Sequence, residues 1–139
     1  GKLTTYRRMA QDALDILSMA EDFDRCSTAN LPLSGALPRE DLTQLRGPRR
    51  LIDRYGADHE EVLSSSGEVS GLSEAELLEP ISAGIPTTLA ELIYGVTHEG
   101  AHSVDDLLER RTRVALVPVD RVKAEASAQR ALTLCQRTG

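Results

Sequence analysis

Along the chain, apolar residues recur with helical spacing in most segments that polar clusters do not interrupt. From Thr4 to Met19 they fall at Tyr6, Met9, Ala10, Ala13, Leu14 and Leu17, with Ala20 just beyond, which predicts a helix with one buried face. Ser27 to Pro38 is rich in Ser, Thr, Asn, Gly and Pro and reads as a loop. Pro38 then precedes a short helix over Arg39 to Leu45, and Gly47-Pro48 punctuates it before a second helix, "RRLIDRYG", which Gly56 can close in the left-handed conformation. A helical turn over Asp58 to Leu63 follows, and then "SSSGEVSG", residues 64–71, reads as a flexible joint within one domain. Ser73 and Glu76 form an S-x-x-E capping box for a helix through Leu78, stopped before Pro80. Thr88 and Glu91 repeat the device, opening a helix whose Leu89, Leu92, Ile93 and Val96 share a face. Ser103, three residues before Asp106, caps a helix through Leu107 and Leu108 into Arg110-Arg111, where basic residues suit the negative end of the helix dipole. Asp120 caps a last helix that runs through Ala126 to Leu134, and the one candidate strand is "RVALVPV", residues 113–119. The pattern predicts an all-α fold, a small multi-helix bundle.

Composition sharpens that picture. At 139 residues the chain has the length of one domain, and with 3% aromatics and no Trp its core must be built from Leu, Ala, Val and Ile, which suits packed helices. The net charge of −6 and pI near 5.1 exclude nucleic acid as the main partner, since phosphate binding needs a concentrated excess of Lys and Arg. No apolar run reaches the roughly 18 to 20 residues of a transmembrane segment, and the N-terminus lacks the apolar core of a signal peptide, so a cytoplasmic location is expected. Cys26 and Cys135 lack the paired spacing of a zinc site and read as buried or idle thiols in a reducing compartment.

One stretch carries candidate metal chemistry. "HEGAH", His98 to His102, spells H-E-x-x-H, in which two histidines one helical turn apart hold zinc beside a general-base glutamate. That chemistry needs an unbroken helix, yet Gly100 interrupts it and Ser103 starts a new helix directly after His102. A third ligand is missing as well: Glu125 sits in an alanine-rich helix without supporting residues. No metal site is expected, and a zinc hydrolase is the remote reading.

The run 89–116, "LAELIYGVTHEGAHSVDDLLERRTRVAL", resembles the C-terminal domain of FAD-dependent glycerol-3-phosphate dehydrogenases. Glu91, Tyr94, Val96, Glu99, Ala101, Asp106, Leu108, Arg110, Arg111, Thr112 and Arg113 match that family's pattern in order. "LIDRYG", Leu51 to Gly56, resembles its L-x-x-R-Y-G segment, and "GKLTTYRRMA" resembles the segment that closes its flavin-binding domain. His102 and Gly95 depart from the usual residues without altering the frame. No G-x-G-x-x-G loop occurs in these residues, so the chain reads as the helical tail of a longer enzyme. The resemblance divides it into residues 1–20, a helix closing the FAD-binding domain, and 21–139, the C-terminal helical domain.

By resemblance, the parent oxidises glycerol 3-phosphate at carbon 2 to dihydroxyacetone phosphate, with FAD as hydride acceptor and a membrane quinone as electron acceptor, at the inner face of the membrane. The isolated chain is expected neither to retain FAD nor to be catalytic. Its cofactor-binding residues are expected to be Gly1, Lys2, Leu3, Thr4 and Thr5, where Thr4 or Thr5 caps the helix and its free N–H groups face the flavin's pyrimidine edge. Of the arginine pairs, Arg7-Arg8 and Arg49-Arg50 read as solvated faces. Arg110, Arg111 and Arg113 form the exception, an interdomain or structural cluster in which one of Arg110 and Arg111 turns inward and the other is available to the flavin-binding domain of the same polypeptide. A free-standing helical adaptor is the alternative, separated by whether the reading frame extends several hundred residues upstream.

Overall fold

The computed structural model describes residues 3–19, 24 and 26–136, which fall into two compact units, Gly1–Leu33 and Ser34–Gly139. In the first unit a 3₁₀ turn, Leu3–Thr5, leads into α1, Tyr6–Leu17. Arg8 pairs with Asp12 at 3.1 Å, and Arg7 donates to Gln11 at 3.0 Å and to Thr28 at 3.3 Å, tying α1 to the loop that follows. The expected buried face is not buried: Tyr6, Met9, Leu14, Ile16 and Leu17 are all more than half exposed. The described residues after α1 add little apolar surface beyond Leu31 and Leu33, themselves exposed.

The second unit holds the core. Its helices are α2 (Arg39–Leu42), α3 (Arg49–Tyr55), α4 (His59–Ser70), α5 (Glu74–Leu77), α6 (Leu89–Thr97) and α7 (Pro118–Gln136). Leu51 of α3, Val62 of α4, Leu77 of α5, Leu92 and Ile93 of α6, and Leu107 and Leu108 beyond it are buried together. On α7, Ala124, Ala128 and Ala131 recur at i, i+4 and i+7, and these small side chains let the long helix lie close against the cluster. Hydroxyls stitch elements together: Ser66 donates to the Ala90 carbonyl at 3.2 Å and Ser127 to the Ile81 carbonyl at 2.8 Å.

Both capping boxes form as expected. Ser73 closes its box with Glu76, whose carboxyl the Ser73 hydrogen bonds hold below the usual range, and Thr88 closes its box with Glu91. Other expectations need correction. Residues 64–71 are not a joint, because α4 runs without a break to Ser70 and ends at Gly71 in the left-handed conformation. The serine hydroxyls that suggested a loop are satisfied inside the helix, Ser65 on the Glu61 carbonyl at 2.6 Å and Ser70 on the Ser66 carbonyl at 2.6 Å. Residues 113–119 do not form a strand; Val114–Leu116 is a 3₁₀ turn and Pro118 takes the first position of α7, where its missing N–H costs nothing. Asp120 therefore lies in the first turn of α7 instead of capping it.

The two strands lie elsewhere, in an antiparallel hairpin of β1 (Pro80–Ser82) and β2 (Ile85–Thr88). Gly56 ends α3 at φ 57° and ψ −124°, outside the αL well, and a Cβ there would stand 2.0 Å from the Gly35 carbonyl oxygen, so only glycine fits. Cys135 is half-buried, with burial pushing its thiol up, but Cys26 is exposed, and hydrogen bonding to Thr28 lowers its thiol.

Candidate functional site

The matched segments "LIDRYG" and 89–116 meet around one carboxylate. Glu91 is the third residue of α6, and the capping box turns its side chain back to the Thr88 N–H at 2.7 Å. The side chain is wholly buried, so the remaining lone pairs of its oxygens need donors. Arg50 supplies two, Nε to Oε2 at 2.7 Å and Nη2 to Oε1 at 2.9 Å, and the same Nη2 reaches Thr87 Oγ1 at 3.1 Å. Arg54, one turn further along α3, brings Nη1 to 3.5 Å from Oε1. This forked geometry is the strong form of an Arg–carboxylate pair. One carboxylate thus holds α3, β2 and α6 together.

Reading Arg49-Arg50 as a solvated pair therefore holds for half of it. Arg49 meets Asp53 at 2.6 Å with both side chains mostly exposed, whereas Arg50 is the main partner of the buried Glu91. The sequence signal was present but incomplete: the box marked Glu91 as a cap, while its second partner stands 41 residues away.

Past α6, the chain turns at Gly100, φ 67°, and His98 is already the residue that ends the helix. His98 and His102 accordingly share no helix face, and the described residues contain no group of three or more His, Cys, Asp or Glu able to hold a metal ion. His98 instead stacks on Tyr94, centroids 4.4 Å apart, and Tyr94 meets Tyr55 edge-on at 5.4 Å. Ser103 and Asp106 then form the expected cap: Asp106 accepts from the His102 N–H at 3.1 Å and from the Ser103 N–H at 3.1 Å, and these donors, with Arg110, hold its carboxyl down at about 2. The following turn, Asp106–Arg111, is a π-helix, closed by the Thr112 N–H donating to the Leu107 carbonyl at 2.9 Å.

That turn separates the two arginines. Arg111 points inward, its Nε donating to the Glu99 carbonyl at 2.7 Å, and its own carbonyl accepts from Arg54. Arg110 points outward, its side chain 65% exposed and paired with Asp106. Arg113 is exposed and, among the described residues, the only non-glycine at positive φ, 59°. At the other end of the chain, Gly1 and Lys2 lie outside the described residues. Leu3, Thr4 and Thr5 form the 3₁₀ turn before α1; Thr5 occupies the N-cap but makes no side-chain capping bond, its hydroxyl lying 3.6 Å from the Met9 sulfur. No acidic side chain occupies the first turn of α1, and Arg7 and Arg8 stand there.

Among the described residues, no helix is long and apolar enough to cross a membrane. Residues 26–138 match the family profile described as the C-terminal domain of alpha-glycerophosphate oxidase. The chain is 41% identical over 139 residues to glycerol-3-phosphate dehydrogenase 1 of Mycobacterium bovis, a match covering 96% of this chain and 26% of that protein. It is 35% identical over 130 residues to glycerol-3-phosphate dehydrogenase of Mycobacterium leprae (84% of this chain, 21% of that one) and 30% identical over 128 residues to that of Synechocystis (86% and 23%). It therefore spans about a quarter of the length of these relatives. No solved structure matches it. With Arg50 and Arg54 gathered on the buried Glu91, Arg111 bonded to the Glu99 carbonyl, and the family profile matched over residues 26–138, the chain belongs to the family of C-terminal domains of alpha-glycerophosphate oxidase.

Proposed function

We propose that this chain is the C-terminal helical domain of an FAD-dependent glycerol-3-phosphate dehydrogenase, an enzyme that oxidises sn-glycerol 3-phosphate to dihydroxyacetone phosphate and passes the electrons to a quinone, peripherally bound at the inner face of the cell membrane. The observation that carries this reading is the 41% identity extending over 96% of the chain to a protein of that name. In the longer enzyme the domain is a rigid body that packs on the flavin-binding domain. The internally bonded cluster of Arg50, Arg54, Glu91 and Arg111 keeps it rigid, while Arg110 and Arg113 remain on its surface for carboxylates or carbonyls of the neighbouring domain.

The N-terminal turn is the place where this chain's residues suit the cofactor. The positive end of a 12-residue helix with no acidic residue in its first turn favours an anionic group in front of it. Gly1, Lys2 and the Leu3–Thr5 turn would hold the pyrimidine edge of FAD there, with Lys2 adding positive charge. When bound, FAD supplies the two-electron oxidation; this chain contributes donors and charge beside it. The uncovered apolar residues of α1 suit a helix that closes the flavin-binding domain.

The test is to purify the full gene product and this 139-residue chain side by side. The full product is expected to be yellow and to reduce a quinone analogue with glycerol 3-phosphate, and the 139-residue chain to be colourless and inactive. A full product without flavin, or one indifferent to glycerol 3-phosphate, overturns the reading.

A further inference from the structure

We propose that the cleft beside Tyr55 and Tyr94 is a binding site for an organic cation carrying N–H donors, an alkylammonium or alkylguanidinium group. This cleft of about 470 Å³ lies between the C-terminal end of α3 and the end of α6. Its aromatic wall is the stack already described, Tyr55 edge-on to Tyr94 and Tyr94 face-on to His98. Two carboxylates face it: Asp58, which accepts from Ser34 Oγ at 2.6 Å, and Glu99. Glu99 Oε2 and the Tyr55 hydroxyl are both shielded from solvent, and neither has a hydrogen-bond partner in the protein. They are the two such side-chain atoms among the described residues, and both belong to residues lining this one cleft. A buried carboxylate oxygen and a buried hydroxyl that lack donors call for a donor from outside.

Charge selects a cation. The one permanent cation in the lining is Arg54, and it is committed: it donates to the Arg111 carbonyl, lies 3.5 Å from Glu91, and sits over the Tyr55 ring at 5.3 Å. Among the described residues, neither Asp58 nor Glu99 forms an ion pair through its carboxylate. Their field is felt at Tyr94, whose phenol is pushed up by burial first and by Glu61, Asp58 and Glu99 after it. Faces of aromatic rings and convergent carboxylates are the two features that recognise ammonium and guanidinium groups, and an N–H of such a group satisfies Glu99 Oε2 and the Tyr55 oxygen as acceptors.

The chain supplies its own reporter, since it has no Trp and two of its three tyrosines line the cleft. Tyrosine emission of the 139-residue chain is followed as ethylguanidinium or propylammonium chloride is added, far below denaturing levels, against sodium chloride at matched ionic strength. The expected result is a saturable change absent with sodium, with Glu99→Gln and Asp58→Asn each weakening binding about tenfold, a typical cost of deleting one charged partner. Glu109→Gln, outside the cleft, leaves it unchanged. An end-blocked peptide with a single arginine distinguishes the sources: binding at least as tight as ethylguanidinium means that the cleft receives a protein side chain, and exclusion of the peptide means that it takes a small free cation. If one acidic variant fails to fold, as judged by circular dichroism, the other carries the test. No saturable change beyond the sodium control, or affinity indifferent to the acidic variants, overturns the proposal.

Discussion

Helices α1 and α6 are both amphipathic in pattern, yet one leaves its apolar side bare and the other hides nearly everything it carries. Leu14 and Leu17 of α1 are more than half exposed, whereas Leu89, Ala90, Leu92 and Ile93 of α6 are 0 to 3% exposed. Periodicity predicts that a helix has a side to bury, but says nothing about what covers it. Covering α6 takes elements from 20 to 40 residues away on both sides, and a polar anchor as well. That anchor is Glu91, with its capping bond on one side and Arg50 on the other. In the first unit α1 is tied by the exposed bond from Arg7 to Thr28, with no buried carboxylate among the described residues.

The sharpest way to break this contrast is to remove the anchor. Glu91→Ala leaves Arg50 and Arg54 without their carboxylate and uncaps α6, and is expected to cost about 3 to 5 kcal/mol in a urea melt. A loss below about 1 kcal/mol, the usual worth of an exposed pair, would place the cluster with ordinary surface salt bridges. Next comes a matched pair of truncations. Leu92→Ala on α6 is expected to cost about 2 to 5 kcal/mol, and Leu14→Ala on α1 within about 0.5 kcal/mol, because the exposed side chain leaves no cavity. Equal losses at the two sites would erase the comparison.

The two arginines of the π-helical turn repeat the contrast on a smaller scale. Arg111→Ala deprives the Glu99 carbonyl of its donor and is expected to cost about 1 to 3 kcal/mol, while Arg110→Ala leaves the melting curve of this chain unchanged. Under the proposed function, the order is expected to reverse for flavin retention in the longer protein, which absorbance of the purified variants reads. The smallest effect is acidic. The carboxyl of Asp106 is depressed from 3.8 to about 2, so its contribution is complete above its unfolded value and is lost as pH falls through about 2. Between pH 5 and 2, wild type is expected to lose slightly more stability than Asp106→Asn, as melts across that range record.

Residues that act on near neighbours were legible in advance, and residues that act at a distance were not. The boxes at Ser73–Glu76, Thr88–Glu91 and the cap at Ser103–Asp106 each close within three positions, so spacing alone reveals them. Ser65 and Ser70 misled because their composition favours a loop, whereas the buried bond from Ser66 to Ala90, 24 residues on, and the packing of Val62, Leu63 and Val69 on the core favour helix there. Prolines at 80 and 86 disguised the hairpin; a two-stranded ribbon is all edge, and tolerates a missing N–H that a central strand would not. Of the candidate site, a division between Arg110 and Arg111 was legible from their angular separation on a helix, but not that Arg111 is the one that turns inward. Arg50 and Arg54 were not, since nothing local distinguishes an arginine that pairs with a residue about 40 positions away from one that faces water. The Tyr55 hydroxyl and Glu99 Oε2 leave no trace in sequence at all, because the absence of a partner is a property of the assembled fold.

The double attachment of Glu91 also has a consequence for the order in which the chain folds. Its bond to Thr88 closes over three residues and can form as soon as α6 does, but its bond to Arg50 closes a loop of 41 residues and must await the docking of α3. The same carboxylate thus serves an early event and a late one. Removing the Thr88 hydroxyl, which donates to Glu91 at 3.2 Å beside the backbone N–H, should chiefly slow refolding, and removing the Arg50 guanidinium should chiefly hasten unfolding, so the two arms of a chevron plot would separate the short-range and long-range bonds of one side chain.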